Sequence, residues 1–328
     1  VTHPPASSDA VLVVGAGISG AACARALAGA EVPVRLVDRG RRPGGRMASR
    51  RLDGRVVDLG ASYLTAPEGS PFAAVVDGWV ARGLARPWTD TFAVAGPDGL
   101  RDRRTGPVRY AAPGGLRALV EDLVEGLRPE AGLTVAAVVP ADDAGHAVTV
   151  DGAPVRAAVL AMPDPQARRL LPEGSAAHAA LHGADTWRPA IAVVLRFGER
   201  SWPADLHGAF VHDSDVLGWV ADDGDRRGDG APVLVAHTVP AFAAAHLEDP
   251  DAVVAPVVAA VRAALGLVAE PVAAVAHRWT FSAPGEQHDG TSGLVDGVGV
   301  CGDAWGERSS VGTAWASGDA LGRRLAGV

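Results

Sequence analysis

A short apolar run, Val11-Leu12-Val13-Val14, passes directly into Gly15-Ala16-Gly17-Ile18-Ser19-Gly20, and few sequence features restrict a fold as tightly as this one. Glycines at this spacing, followed by the Ala-rich segment Ala21 to Ala28, predict a strand, a tight turn and a helix opening off the last glycine. Each glycine has its own reason. Gly15 allows the turn, Gly17 lets a pyrophosphate approach the backbone, and Gly20 lets the helix pack close to the strand. An anion there meets free N–H groups at the positive end of the helix dipole, around Ile18 and Ser19. The chain has 41 glycines, so the motif needs support from its surroundings. That support is a second strand, Val34 to Val37, ending in Asp38, where an acid hydrogen-bonds an adenosine ribose.

Composition narrows the rest. A length of 328 residues suits one large or two ordinary domains, and a net charge of -8 offers no basic field for nucleic acid. All 30 basic residues are arginines, which excludes any mechanism that needs a lysine. The two cysteines, Cys23 in the first helix and Cys301 in an apolar strand, read as free buried thiols, and no Cys/His cluster suggests a metal. Residues 1–9 lack the basic start and apolar run of a signal peptide, so the expected location is the cytoplasm. The longest apolar segment, Ala252 to Ala269, is broken by Pro256 and Arg262. Its valines follow helical spacing, which predicts an amphipathic core helix and no membrane span.

Past Asp38 the chain is rich in arginine, and Gly44-Gly45-Arg46 stands out. Two glycines again permit close approach, and a guanidinium forks onto phosphate oxygens, so Arg46 is a candidate second pyrophosphate clamp. Asp53-Gly54 reads as a two-residue hairpin turn that delivers Asp58 to Tyr63 beside the nucleotide. Pro71 to Leu84 and Gly114 to Leu127 read as helices, with short strands up to Gly106 between them. Strands broken at Asp142 to Gly145 and at Asp151-Gly152 are expected from Leu133 to Leu160, then helices from Asp164 to Leu181. Between Pro189 and Pro240 β-branched runs alternate with a charged, glycine-rich loop, Asp222 to Gly230, and predict an antiparallel sheet.

The glycine motif, Asp38, Gly44-Gly45-Arg46 and Val57-Asp58-Leu59-Gly60-Ala61-Ser62-Tyr63 follow the order found in FAD-binding flavoproteins of the amine oxidase superfamily, and the chain most resembles the bacterial renalases. That resemblance implies an α/β protein: a Rossmann-like FAD-binding domain (9–70, 106–170 and 285–328) with an α+β, mostly antiparallel-sheet substrate domain (71–105 and 171–284). It implies non-covalent FAD held by Gly15, Gly17, Ile18, Ser19, Gly20, Asp38, Arg39, Gly45, Arg46, Gly60, Ala61 and Ser62, with Val138 near the adenine. At the far end it implies that Gly302-Asp303 holds the ribityl chain and that the helix start at Val311-Gly312-Thr313 faces the flavin ring, where its dipole favours the charge of reduced flavin.

On the substrate side, Tyr63 is a candidate aromatic wall, and His277-Arg278-Trp279 matches a pocket segment of the resembled family. Trp279 is the expected stacking partner, with His277 as a structural neighbour on the same strand face. His237 matches a family pocket histidine. Asp223 falls where those proteins tend to carry an asparagine able to touch a carboxamide, and Trp219 and Trp305 are further aromatic candidates. The resemblance implies oxidation of 2- or 6-dihydro isomers of NAD(P) by hydride transfer to flavin N5, with O2 as acceptor and H2O2 as product. No general base is needed for such a donor. Two other readings stand beside it: an FAD oxidase acting on a secondary metabolite or an amine, for which Asp223 is the reason, and a non-catalytic nucleotide-binding protein.

Overall fold

The computed structural model describes residues 9–142 and 147–328. The start of the chain, where a leader was sought, and most of the expected break at Asp142 to Gly145 lie outside the described residues. The chain divides into two compact units, one of residues 1–45, 120–187 and 283–328, the other of 46–119 and 188–282. Residues 46–70 and 106–119 thus cluster with the second unit and 171–187 with the first.

In the first unit the described residues form a six-stranded sheet in the order Gly293–Val295, Val298–Val300, Ala157–Leu160, Val11–Val14, Val34–Asp38 and Glu130–Ala131. Val11–Val14 lies in the centre, parallel to both neighbours, and all four of its residues are buried, as an apolar run covered on both faces must be. Its helix, Ile18–Gly29, starts two residues earlier than the last glycine of the motif. This helix packs against the long helix Val311–Ala326, and the contact depends on small residues. A Cβ at Gly318 would lie 1.9 Å from the Ser19 carbonyl oxygen, and one at Gly322 would lie 2.6 Å from that of Cys23. Burial raises the Cys23 thiol well above its ordinary pKa and pushes Cys301, one residue past its strand, up to about 12. Both are inert thiols at neutral pH.

The second unit is built on a seven-stranded, mostly antiparallel sheet in the order Ala273–Ala283, Arg188–Arg196, Val233–Thr238, Leu217–Asp222, Gly208–Val211, Arg86–Gly96 and Gly99–Ala111. The last two strands form one long hairpin, not the short strands expected; register shifts near Pro87, Thr89 and Thr91 absorb the irregular residues. Alternation along the strands separates two faces. Ile191, Val193, Leu195, Leu234 and Ala236 meet Val257, Val261 and Leu265 of the amphipathic helix Val254–Leu265. Ala192, Val194, Val233 and Val235 point the other way, onto Val57 and Leu59. The same parity puts Trp219 and His237 on this second face.

One local expectation is corrected outright. Asp222 to Gly230 is not a solvated loop: Asp223–Arg227 is a short helix, capped by Asp222 and ended by Gly228 at φ 81°, and Asp223, Arg226 and Arg227 are buried. The carboxylate of Asp223 pairs with Arg226 (2.5 Å), Arg55 (2.7 Å) and Arg227 (3.3 Å), a charge balance that makes burial tolerable.

Candidate functional site

The nucleotide cradle belongs to the first unit. Gly15 sits at φ 109° with its Cβ position 2.4 Å from the Ala161 carbonyl oxygen, and a Cβ at Gly20 would lie 1.9 Å from Gly15 O. Neither position admits a side chain. Gly17 differs: a Cβ there meets only the Gly45 Cα, at 3.9 Å. The cradle is closed by backbone behind the motif and open in front of it. Gly17 caps the helix without a side chain, so the first helical N–H groups, at Ile18 and Ser19, face outward from the turn. Asp38 at the end of its strand accepts from the backbone N–H groups of Ala16 and Gly40, both at 2.6 Å, which fixes the carboxylate at the rim of the cradle. Arg39 beside it is exposed, and Val138 is a buried core residue whose N–H donates to Leu170 O.

At the other end of the chain, Gly302 N–H donates to Ser317 Oγ, and Asp303 accepts from Ser309 Oγ at 2.5 Å. Ser310 caps the following helix by accepting from Thr313 N–H, leaving Val311, Gly312 and Thr313 half-buried at a helix start. Glycines that leave front-side room, outward N–H groups at two helix starts and an acid at the strand end together fit the phosphates, ribose and ring of a flavin dinucleotide.

In the second unit, the segment Asp58 to Tyr63 is held from several sides at once. Leu59 O accepts from Trp279 Nε1 (2.9 Å) and His237 Nε2 (3.0 Å). Arg226 donates to Ser62 O (2.9 Å) and Asp58 O (3.3 Å), and Trp219 Nε1 donates to Ser62 Oγ (3.0 Å). Gly60 leaves no room for a side chain, since its Cβ position lies 2.0 Å from Arg46 O, and Ala61 N–H donates to that same oxygen. Arg46 in turn donates to Ser282 O, an anchor for its guanidinium that the sequence did not foreshadow. Tyr63 packs 5.2 Å from Phe92 and 6.0 Å from Trp219, and His277 meets Trp279 edge-on at 4.7 Å.

Half-buried faces of Tyr63, His237 and Trp279 therefore gather around one segment. Asp223 does not join them. Expected beside a substrate amide, it is fully buried, and despite the burial its three arginines hold its carboxyl below the ordinary range. Its work is done through Arg226, which no reading of the motifs identified. The signal was present: Arg226 and Arg227 stand three and four residues after Asp223, the spacing of ion pairs on a helix. Trp305 lies in the first unit, stacked on His288. Among the described residues no group of His, Cys, Asp or Glu is arranged to hold a metal ion, and no helix is long and apolar enough to cross a membrane.

The family description "Flavin containing amine oxidoreductase" matches residues 90–320, and "NAD(P)-binding Rossmann-like domain" matches 13–79. The chain belongs to the flavin containing amine oxidoreductases. It is an FAD-dependent oxidoreductase with a mixed α/β fold. Solved structures agree on that fold. Wild-type putrescine oxidase bound to putrescine is 15% identical with a TM-score of 0.71, covering 97% of this chain and 98% of that one. Cyclohexylamine oxidase from Brevibacterium oxydans IH-35A is 12% identical with a TM-score of 0.72 over the same shares. An Exiguobacterium sp. 255-15 protein described as a protoporphyrinogen oxidase is 16% identical with a TM-score of 0.74, covering 98% and 99%. In sequence, Protein FLOWERING LOCUS D of Arabidopsis thaliana is 37% identical over 73 residues, 21% of this chain and 9% of that protein.

The clamp on Leu59 has a consequence for pH. A carbonyl can only accept, so His237 donates from Nε2. Burial, aided by Arg226, lowers its pKa from 6.5 to about 4. His237 is thus neutral at neutral pH, its Nε2–H held by the Leu59 carbonyl. Between pH 6.5 and about 4 the unfolded chain gains a proton that the folded one refuses. Stability attributable to His237 is therefore complete above pH 6.5 and falls as the pH drops to about 4. The loss is at most about 3.5 kcal/mol, because each tenfold difference in proton affinity between the two states is worth about 1.4 kcal/mol. His237→Gln keeps an N–H donor and does not titrate. Urea unfolding at pH 7.0, 5.5 and 4.5 should show a shallower decline for the variant; equal slopes would mean His237 is protonated in the fold.

Proposed function

We propose that this flavoenzyme oxidises flat, already reduced nitrogen heterocycles, with 2- and 6-dihydro isomers of NAD or NADP as the substrate class and O2 as the terminal acceptor, giving H2O2. The observation that carries the reading is the aromatic character of the second unit around Leu59 to Tyr63: Trp279 and His237 share the Leu59 carbonyl, Tyr63 packs with Trp219, and the Asp223 carboxylate is paired with three arginines. Such a face binds a planar donor by stacking and offers it no base. An amine carries a proton at neutral pH and must lose it before it can give up hydride, whereas a dihydronicotinamide needs no deprotonation, because its ring nitrogen supplies the electron pair. When bound, FAD supplies the two-electron acceptor. The chain's contribution is placement: in the first unit Gly17, Asp38 and the helix start at Val311 hold the cofactor. The absence of lysine adds support, since no ammonium is available to organise water for amine oxidation.

A secondary metabolite or an amine is the second reading, favoured by the fold shared with putrescine and cyclohexylamine oxidases. Anaerobic stopped-flow reduction of the FAD-loaded protein separates the two. Mixed 2- and 6-dihydro-NAD(P) should bleach the flavin absorbance at least tenfold faster than 4-dihydro-NAD(P), putrescine or cyclohexylamine. Rapid bleaching by an amine, or none by any dihydronicotinamide, overturns the proposal.

A further inference from the structure

Behind the Gly302-Asp303 turn of the first unit lies a polar assembly that nothing in the glycine motif or the aromatic face requires. Asp164 and His288 are almost completely buried, and His288 Nε2 donates to Asp164 Oδ2 at 2.8 Å. The same oxygen accepts from Trp187 Nε1 at 3.2 Å. The His288 ring stacks on Trp305, with centroids 4.2 Å apart and planes 23° from parallel, and His182 meets its edge at 4.7 Å. Its backbone N–H donates to Ala304 O at 2.7 Å and forms a bridge to Trp305. Next to it, Gln287, with its amide nitrogen turned toward the carbonyls that surround it, donates to Asp303 O (2.9 Å) and Gly306 O (3.0 Å).

Residues 287 and 288 thus grip the turn that carries Asp303 by backbone, amide and ring together. A buried carboxylate and imidazole contribute little net stability over an apolar pair of the same size, so their worth lies in geometry. A hydrogen bond fixes both the tilt and the rotation of the imidazole, which a hydrophobic contact does not. Because the ring is stacked on Trp305, two residues after Asp303, that orientation passes directly to the turn.

We propose that Asp164 and His288 are positioning residues for the cofactor: through Trp305 and the Ala304 carbonyl they hold the Gly302-Asp303 turn in the form that binds the ribityl chain of FAD. This rests on the reading of Asp303 as a cofactor ligand. It predicts that FAD affinity depends on the Asp164–His288 hydrogen bond itself, beyond any dependence of folding on it.

The test compares two variants with the wild type by titrating apoprotein with FAD, following flavin fluorescence, alongside thermal unfolding of each apoprotein. His288→Phe keeps a ring on Trp305 but takes the imidazole from the buried Asp164 carboxylate, leaving it the weaker bond from Trp187 Nε1. Asp164→Leu/His288→Phe removes that charge as well. The expected result is that the single variant loses both thermal stability and at least tenfold in FAD affinity. The double variant should recover melting temperature while its affinity stays at least fivefold weak. Recovery of both in the double variant would reduce the pair to a structural role and overturn the proposal. Wild-type apoprotein that takes up no FAD would overturn this proposal together with the cofactor reading beneath it.

Discussion

Gly17→Val yields a folded protein that no longer retains FAD. The two halves of this expectation come from one geometry. At Gly17 a Cβ meets nothing closer than the Gly45 Cα at 3.9 Å, and the residue has φ −76°, which valine tolerates. The apoprotein should therefore melt within a few degrees of the wild type. The added isopropyl group occupies the open front of the cradle, where a pyrophosphate must approach the N–H groups of Ile18 and Ser19. Losing one or two charge-assisted hydrogen bonds costs about 3 to 4 kcal/mol, a weakening of roughly 100- to 1,000-fold in the dissociation constant. Gly20→Val is the contrasting control: its Cβ collides with Gly15 O at 1.9 Å, so it should fail in folding before it fails in binding. Equilibrium dialysis of FAD against both apoproteins, with far-UV circular dichroism, checks the pair. Full flavin occupancy in Gly17→Val would remove the dinucleotide from this cradle.

Asp223→Ala should be the most destabilising change in the second unit. The carboxylate balances Arg226, Arg55 and Arg227 where almost no water reaches, and Arg227 also pairs with Asp58 at 2.8 Å. Removing one partner of a buried ion cluster leaves uncompensated charge and typically costs about 3 to 5 kcal/mol. The damage should spread along a defined route, since Arg226 then loses the anchor that aims it at Ser62 O and Asp58 O. Asp225→Ala, which breaks a part-exposed pair with His207 and a hydrogen bond from Trp88 Nε1, should cost less, about 1 to 2 kcal/mol. Urea unfolding monitored by tryptophan fluorescence distinguishes them. A loss for Asp223→Ala no larger than that for Asp225→Ala would show that the cluster contributes nothing through its charges.

What was legible in the sequence was whatever depends on near neighbours in the chain. Gly15 turns at φ 109° and a side chain at Gly20 would strike Gly15 O, both inside one strand-turn-helix unit, so the spacing revealed the turn and the helix packing; the Ala161 carbonyl that also closes on Gly15 comes from a distant strand and was not legible. The Asp53-Gly54 hairpin was visible for the same reason, with φ 49° and 82° at the two turn residues. Alternation correctly put His277 and Trp279 on one face. The supports of the Gly60 segment were not legible, because their partners are distant. His237 and Trp279 reach Leu59 across 178 and 220 residues, and Arg226 reaches Ser62 across 164. No periodicity encodes such pairings. Asp222 to Gly230 misled for a related reason: its acids, arginines and glycines have the composition of a loop, and Arg55 and Asp58, far earlier in the chain, complete the pairing that lets it be buried. Gly60 shows the same limit, since the atom that forbids a side chain there belongs to Arg46 on another element.

The contact between Ser19 and Gly318 also sets an order of assembly. In synthesis the nucleotide motif emerges long before the helix that covers its back, Val311–Ala326. Two intervening passages through the second unit separate them. The first unit cannot close until residues 283–328 join residues 1–45, whereas the second has all its residues by 282. The front of the cradle, the turn from Gly15 to Gly20, can therefore form early, while its back stays bare until Val311–Ala326 arrives.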